Sequence, residues 1–569
     1  MARRPSNLIY SVSENPKIGT LILLSIQHIS LLTIAFIFPV VIIGEIGGMP
    51  EDSENLIRLS MVATGLTTII MGLNLKYIGS GYLCPVLNGP AFLSSSLMAG
   101  TTGGLSLIFG MTMIGGIFET IFSRLITRLR AWFPPEVTGT IVLMVGIEVI
   151  EIAVPKFFGI DATHLQPSPV AILVSVICFL AMIGFNIWGK GGLRLFCVLI
   201  GLIIGYIASI IAGILTMEDI RYIMNEPLLT VPKFGFYGIS FQTALIIPFI
   251  IAALSSAVKT MGDLSTCQKI NDADWKRPEM KNIGKGVLAC GIGNVFSGII
   301  GSLGQSVSSS NIGLSIATGA TSRRIAYVTG IMIVLLAFIP KLAGIFVIMP
   351  TPVMGACLIF SVSFMILAGL QIVTSRMLDA RKTFVVGVSI IFGLSASFNA
   401  ELYKMFPEWI QPLVSSSLAL ATICAIILNL LMRIGIKKKA SISLKAGEES
   451  TETVLTFIEK QGATWGARKD VILRAASALN EFMEVSTLLN LTNPDIEATA
   501  TFDEFNLDVE IVYSGLPVYI PDVRPETDTI LDSKAGTVDF ALYMMKHLAD
   551  RVTVSTKNDY TIISLHFVH

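Results

Sequence analysis

Fourteen apolar stretches decide what this chain can become. They lie near 19–43, 56–73, 83–99, 105–123, 137–154, 168–188, 195–215, 242–262, 285–303, 306–319, 325–348, 352–372, 382–398 and 412–434. Most approach the ~20 residues that carry a helix across a bilayer. Composition agrees: 53% of the 569 residues are hydrophobic and 14% are charged, against roughly 25% charged in soluble domains. A single water-soluble core could not hide so much apolar surface. The 40 basic and 40 acidic residues cancel, so no net field points to nucleic acid. Seven cysteines are scattered through the apolar part without CxxC or His-rich spacing, which reads as membrane-core packing rather than a disulfide framework or metal site. No small-residue cleavage site follows the first apolar run, so no removable signal is expected.

Loop charges orient the spans. With Arg3 and Arg4 on the cytoplasmic side, even-numbered spans should return to basic loops, and from the fourth onward they do, the loop after the second holding only Lys76. Arg124, Arg128 and Arg130 follow the fourth, Lys190 and Arg194 the sixth, and Lys269, Lys276, Arg277 and Lys281 the eighth. Arg323 and Arg324 follow the tenth, Arg376, Arg381 and Lys382 the twelfth, and Lys437–Lys439 the fourteenth. The opposite loops are poorer, with Lys156, Arg221 and Lys233. This positive-inside bias places both termini in the cytoplasm. Composition changes sharply near Arg433, after which no stretch is long enough to span. The expected division is a transmembrane domain over 1–436 and a cytoplasmic domain over 437–569.

Two segments are poor continuous helices. The third carries Leu87-Asn88-Gly89-Pro90-Ala91, and the tenth carries Ser308-Ser309-Ser310-Asn311-Ile312-Gly313. Proline lacks a donor, glycine relaxes the backbone, and Ser and Asn compete for its hydrogen bonds. A kinked packing helix would give one such break. Matched breaks at ordinal positions three and ten of two seven-span halves predict inverted repeats, with a solute site between half-helix ends. In the eighth segment Lys259 and Asp263 share a helix face at i, i+4. They mark either a site or charges snorkelling toward the basic loop. His28, beside Gln27 in the first segment, reads as a site residue or an interhelical hydrogen-bonder. Glu148 and Glu151 face either a cavity or the external boundary.

With these residues in view, 15–435 resembles the nucleobase–ascorbate transporter family, the xanthine/uracil permeases. Gln27-His28 with Pro39 is similar to the family's first span. Phe133-Pro134-Pro135-Glu136-Val137-Thr138-Gly139 resembles its fifth-span entry, and Met261-Gly262-Asp263 the end of its eighth-span motif. Asn311-x-Gly313-x4-Thr318-Gly319, then Ser322-Arg323, resembles the tenth-span signature, and Pro407-Glu408-Trp409 also fits. The resemblance implies fourteen all-α spans in two inverted repeats, forming a core that slides against a gate. It also implies a homodimer and a symporter that moves a nucleobase with protons or sodium. Residue by residue, it implies substrate contacts at Lys259, Ser310, Asn311, Gly313, Pro90 and Phe92, and ion coupling through Asp263 and His28. Three positions depart from the family: Lys259 replaces a carboxylate, Ser310 a Gln or Glu, and Pro90 a stacking aromatic. An ammonium only donates, so Lys259 suits an acceptor-rich or anionic ligand such as urate.

The last ~130 residues alternate helix and strand signals. A helix is expected over 468–489, a β-hairpin over 496–502 and 507–513, a helix over 536–549, then strands near 551–556 and 560–568. The order resembles the GHKL-type ATPase fold of anti-sigma-factor kinases. Glu481 matches its Mg-helix Glu, but Val485 stands in the Asn place and Tyr513-x-Gly515-x-Pro517 lacks the adenine-reading Asp. A degenerate fold is expected, without ATP hydrolysis or cofactor, regulating the transporter or binding a cytoplasmic protein. The sequence therefore reads as a secondary transporter of a xanthine-, urate- or uracil-like solute in the cytoplasmic (inner) membrane. The alternative is a non-transporting nucleobase sensor.

Overall fold

The computed structural model describes the chain except residues 1–2, 7, 127–131, 162–164, 191, 276–277, 375–377, 379, 408–409, 436–437, 447–450, 466, 487, 489–490, 504–505, 516, 526–533, 558–559 and 569. Arg128, Arg130, Lys276, Arg277, Arg376, Glu408, Trp409 and Lys437 therefore lie outside the described residues. Two compact units separate at Leu430/Leu431.

The first unit is helical. α1 (Ile18–Leu32) passes through a 3-10 turn into α2 (Ile37–Glu45), and α3 (Pro50–Gly72) follows. Strand β1 (Val86–Asn88) leads by a 3-10 turn at Pro90–Phe92 into α4 (Leu93–Leu125). α5 (Pro135–Phe157), α6 (Pro169–Trp188), the short α7 (Gly192–Leu195), α8 (Cys197–Ile211) and α9 (Met217–Asn225) come next. The second half holds α10 (Ile246–Asn271), α11 (Met280–Ile300), β2 (Gln305–Val307), α12 (Ser309–Thr318), α13 (Arg323–Leu336) and α14 (Pro340–Val347). It continues with α15 (Thr351–Val373), α16 (Ala380–Phe398), the short α17 (Ala400–Lys404) and α18 (Gln411–Val414), and α19 (Ser417–Met432).

Among the described residues, nine helices are long and apolar enough to cross a bilayer, or ten if the bent α13–α14 pair is one span. The apolar segments differ from separate spans in recognisable ways. Pro90–Leu125 holds the third and fourth segments in one 36-residue element, about twice the ~20 residues of a single crossing. It kinks at Gly103 and at Gly104, whose φ is 71°, a conformation glycine adopts without strain. The seventh and fourteenth segments are the shorter apolar helices α8 and α19. The tenth is a strand followed by a 10-residue helix.

Helices sort into two groups. α4 packs along α11 and α10, while α3 packs on α13 and α11. α5 packs along α15, which also meets α6 and α8. Small residues permit the close crossings: a Cβ on Gly65 of α3 would lie 2.5 Å from the Gly330 carbonyl of α13.

The second unit is a two-layer α/β arrangement. Its antiparallel sheet has the order β3 (Lys438–Lys445), β4 (Leu491–Phe502), β5 (Asn506–Gly515), β7 (Tyr560–Val568), β6 (Arg551–Lys557). β5 and β7 alternate buried and partly exposed residues, the period-2 pattern of a sheet covered on one face. The covering helices are α20 (Thr451–Trp465), α21 (Lys469–Ser486) and α22 (Lys534–Leu548), through Ile458, Leu479, Phe482 and Met545. The expected helices, hairpin and final strands all appear, within a few residues of their expected bounds.

A Cβ on Gly304 would fall 2.4–2.7 Å from the Phe92 ring, whereas one on Gly313 meets nothing within 4 Å. Gly304→Ala should therefore cost about 1–3 kcal/mol and lower the thermal midpoint of the purified chain. Gly313→Ala should leave that midpoint in place.

Candidate functional site

The two broken segments meet. β1 and β2 pair antiparallel, with Val86 opposite Val307, Leu87 opposite Ser306 and Asn88 opposite Gln305. The ladder continues at both ends, where Gly89 N donates to Gly304 O (2.8 Å) and Ser308 N to Pro85 O (2.9 Å). Each strand hands over to a helix, so two helix N-termini lie beside one crossing. The amides of a first helical turn lack intrahelical partners and carry partial positive charge.

Lys259 of α10 reaches this crossing. Its ammonium donates to the Val307 carbonyl and lies 3.6 Å from Asp263 Oδ2. Ser309, the first residue of α12, donates to the same carboxylate oxygen (3.0 Å). The lysine is 8% exposed, so it is held at the strands rather than turned outward. An ammonium has three donors, and these two partners leave capacity for a third.

α12 carries the rest. Asn311 Nδ2 donates to Ser308 Oγ (2.8 Å), and its Oδ1 meets His28 Nδ1 at 2.7 Å. With the amide so oriented, His28 donates from Nδ1. Ser310 is exposed, as is Gly313 one turn on, so these two line the open face of the half-helix. Thr318 donates to Leu314 O (2.8 Å), and Gly319, at φ 63°, ends the helix in the left-handed region. The Gly319 carbonyl accepts from Ile9 and Tyr10 amides. These two signature residues shape the end of α12 and sit away from its N-terminus.

Pro90 and Phe92 are buried. Phe92 is 6.4 Å from Phe249 and packs on Gly304, so its ring supports the crossing from behind. The structure thus brings together Lys259, Asp263, Ser310, Asn311, Gly313 and His28, with Phe92 as backing. Glu148 is buried and accepts from Ser416 (3.1 Å), and Glu151 accepts from Ser397.

Sequence reading missed a second network behind β2. Glu119 of α4 is 0% exposed and accepts from Asn294 of α11 (2.7 Å) and Ser256 of α10 (3.4 Å). The available signal was a lone carboxylate in an apolar stretch. A separate open cavity of about 340 Å³ is lined by Ile43, Asp52, Gly104, Ser106 and Tyr237 among others.

In the second unit, Tyr513 is 1% exposed, its ring 5.5 Å from Phe482. A side chain packed this way cannot present an edge to a base. Burial, then the neighbouring Glu484, push the Glu481 carboxyl above its ordinary range.

A family profile described as a permease family, that of the xanthine/uracil permeases, matches residues 19–402. A Clostridium perfringens protein bearing the name of a purine permease is 30% identical over 75% of this chain and 93% of its own length. Xanthine permease XanP of Escherichia coli is 26% identical over 75% and 95%. Uric acid permease PucJ of Bacillus subtilis is 26% identical over 73% and 93%. Among solved structures, SLC26A9 is similar with a TM-score of 0.52 at 12% identity, covering 80% of this chain and 77% of that one. This last likeness concerns the fold alone.

Removing one partner of the Lys259–Asp263 pair strands a buried charge. Lys259→Met should destabilise the chain by about 3–5 kcal/mol, and adding Asp263→Leu should recover most of that loss. A thermal-denaturation double-mutant cycle reads the difference, and simple additivity would show that the two do not act as a pair.

Proposed function

This chain belongs to the xanthine/uracil permease family, and from that premise we propose that it is a secondary transporter of a purine-type solute. As a multi-pass membrane permease it is not an enzyme. Xanthine, uric acid and purine appear in the names of its relatives. The observation that carries the reading to this chain is the crossing of β1 and β2, with two helix N-termini and the Lys259 ammonium beside it. Anionic and acceptor-rich groups are favoured at helix N-termini, and an ammonium adds a donor. An oxidised purine that ionises readily, such as urate, fits this set better than neutral uracil. The solute rests against Lys259, Ser310, Asn311 and Gly313, with Pro90 and Phe92 behind, while Asp263 balances the lysine and His28 orients Asn311.

The same reading extends to architecture. Counting Pro90–Leu125 as two crossings, and α8, α19, the β2–α12 segment and the α13–α14 pair as one each, gives fourteen spans in two inverted seven-span halves. The α4/α11 group is then the sliding core and the α5/α15 group the gate through which a homodimer forms. Both termini lie in the cytoplasm of an inner-membrane protein. Transport is coupled to protons or sodium, and the second unit is a degenerate GHKL-like regulatory domain.

Reconstituted in liposomes, the chain should exchange labelled xanthine or urate in counterflow. Binding without exchange would mark a sensor instead. Lys259→Glu should shift preference from urate toward neutral bases by about tenfold or more, equivalent to about 1.4 kcal/mol. An unchanged ratio would remove Lys259 from the site.

A further inference from the structure

Charges buried at membrane depth are normally paired, because an uncompensated one is costly. Glu54 of α3 and Asp263 of α10 follow this, while among the described residues Glu119 of α4 and Glu148 of α5 accept from neutral donors, and of these two Glu119 is the one whose partners also hold β2. Glu54 pairs with Arg58 (3.2 Å) and Asp263 with Lys259 (3.6 Å). Glu119, fully buried, has no cation at ion-pair distance among the described residues. Its oxygens accept only from neutral donors, Asn294 Nδ2 and Ser256 Oγ. We propose that Glu119 is the residue that binds and releases the coupling proton of this transporter, an inference that rests on the transport reading above.

The donor set selects the cation. Gln305 N donates to Asn294 Oδ1 (2.6 Å), which fixes the amide so that its NH2 group faces Glu119. A sodium ion needs oxygen ligands on several sides, as hard cations do, and here a nitrogen donor occupies one of them. A proton needs only one oxygen. Of the helices packed along α4, α10 carries Cys267 and Lys269 and α11 carries Lys281 and Lys285, the last donating to the Leu75 carbonyl (3.2 Å). α11 brings the Cys290 thiol, 3.8 Å from Thr260, and α10 brings the Lys259–Asp263 pair. The α2 carboxylate, Glu45, faces Lys156 instead (3.3 Å).

Hydrogen bonds link the carboxyl to the strands. Asn294 Nδ2 and Ser256 Oγ both also donate to the Gln305 carbonyl, each at 3.1 Å. Gln305 pairs with Asn88 across the crossing. A serine has one hydrogen, so while Glu119 is ionised Ser256 divides it between Glu119 and Gln305. A proton taken from water on one side of the membrane forms an O–H bond on Glu119. That hydroxyl donates to Ser256 Oγ, and the serine hydrogen then goes wholly to Gln305. Protonation thus tightens the hold on β2, and a solute that favours the ordered crossing must raise proton affinity in return. When the O–H bond breaks toward the other side, the hold relaxes.

The test uses the full chain in proteoliposomes with labelled xanthine, and urate in parallel. Wild type should accumulate solute under an inward proton gradient. Glu119→Gln should retain counterflow at about a tenth or more of the wild-type rate, lose gradient-driven accumulation, and lose the pH dependence of exchange. Accumulation by Glu119→Gln equal to wild type overturns the proposal. If Glu119→Gln does not fold, Glu119→Asp decides: its pH midpoint for accumulation should move, and an unmoved midpoint overturns the assignment. Wild type that exchanges none of xanthine, urate or uracil brings down the transport reading itself, and this inference with it.

Discussion

The structure depends on one short piece of backbone pairing. β1 and β2 pair antiparallel in the interior of a helical unit, and side chains complete the pairing, since Val86 N donates to Thr68 Oγ1 (3.0 Å) and Gln305 N to Asn294 Oδ1 (2.6 Å). Elsewhere in such a unit only a helix can satisfy its own backbone groups at membrane depth. Without this ladder both segments would have to be continuous helices. With it, each helix can begin partway along its segment and present its first-turn amides inside the protein. The fixed Lys259 contact to Val307 and the Asn294 contacts to Gln305 hold one strand from two sides.

Charge at this crossing is arranged to cancel without vanishing. Lys259 and Asp263 offset each other at 3.6 Å, so a buried ammonium is tolerated where the family resemblance leads one to expect a carboxylate. The balance leaves the helix N-termini as the uncompensated electrostatic feature. On the proposed reading, titration moves from Asp263 and His28, where the family resemblance implies it, to the carboxyl of Glu119 behind β2. Solute selection and cation handling, as proposed, then fall on opposite sides of a single strand.

Much of this was legible in the sequence, and the reasons are specific. Asn88-Gly89-Pro90 and Ser308–Ser310 broke helical patterning at the two strand-to-helix junctions, because those residue types oppose an uninterrupted helix. The i, i+4 spacing of Lys259 and Asp263 gave their pairing. Strand pairing between residues more than 200 positions apart left no local signal, so the antiparallel contact was not readable. Phe92 was expected to face solute, but the space over Gly304 draws its ring into the packing. The span count suffered from continuity: Gly103-Gly104 kinks α4 without ending it, and α8 and α19 are shorter than their apolar stretches. In the second unit, period-2 alternation gave the strands, while Tyr513 turned out to be core.

The most direct test of the central claim is an experimental structure of the chain bound to a purine, by electron cryo-microscopy. The account predicts ligand density at the strand crossing, against the exposed Ser310–Gly313 face of α12 and within hydrogen-bonding reach of Lys259. Density only in the separate cavity beside Asp52, Ser106 and Tyr237, with the crossing empty, would contradict it.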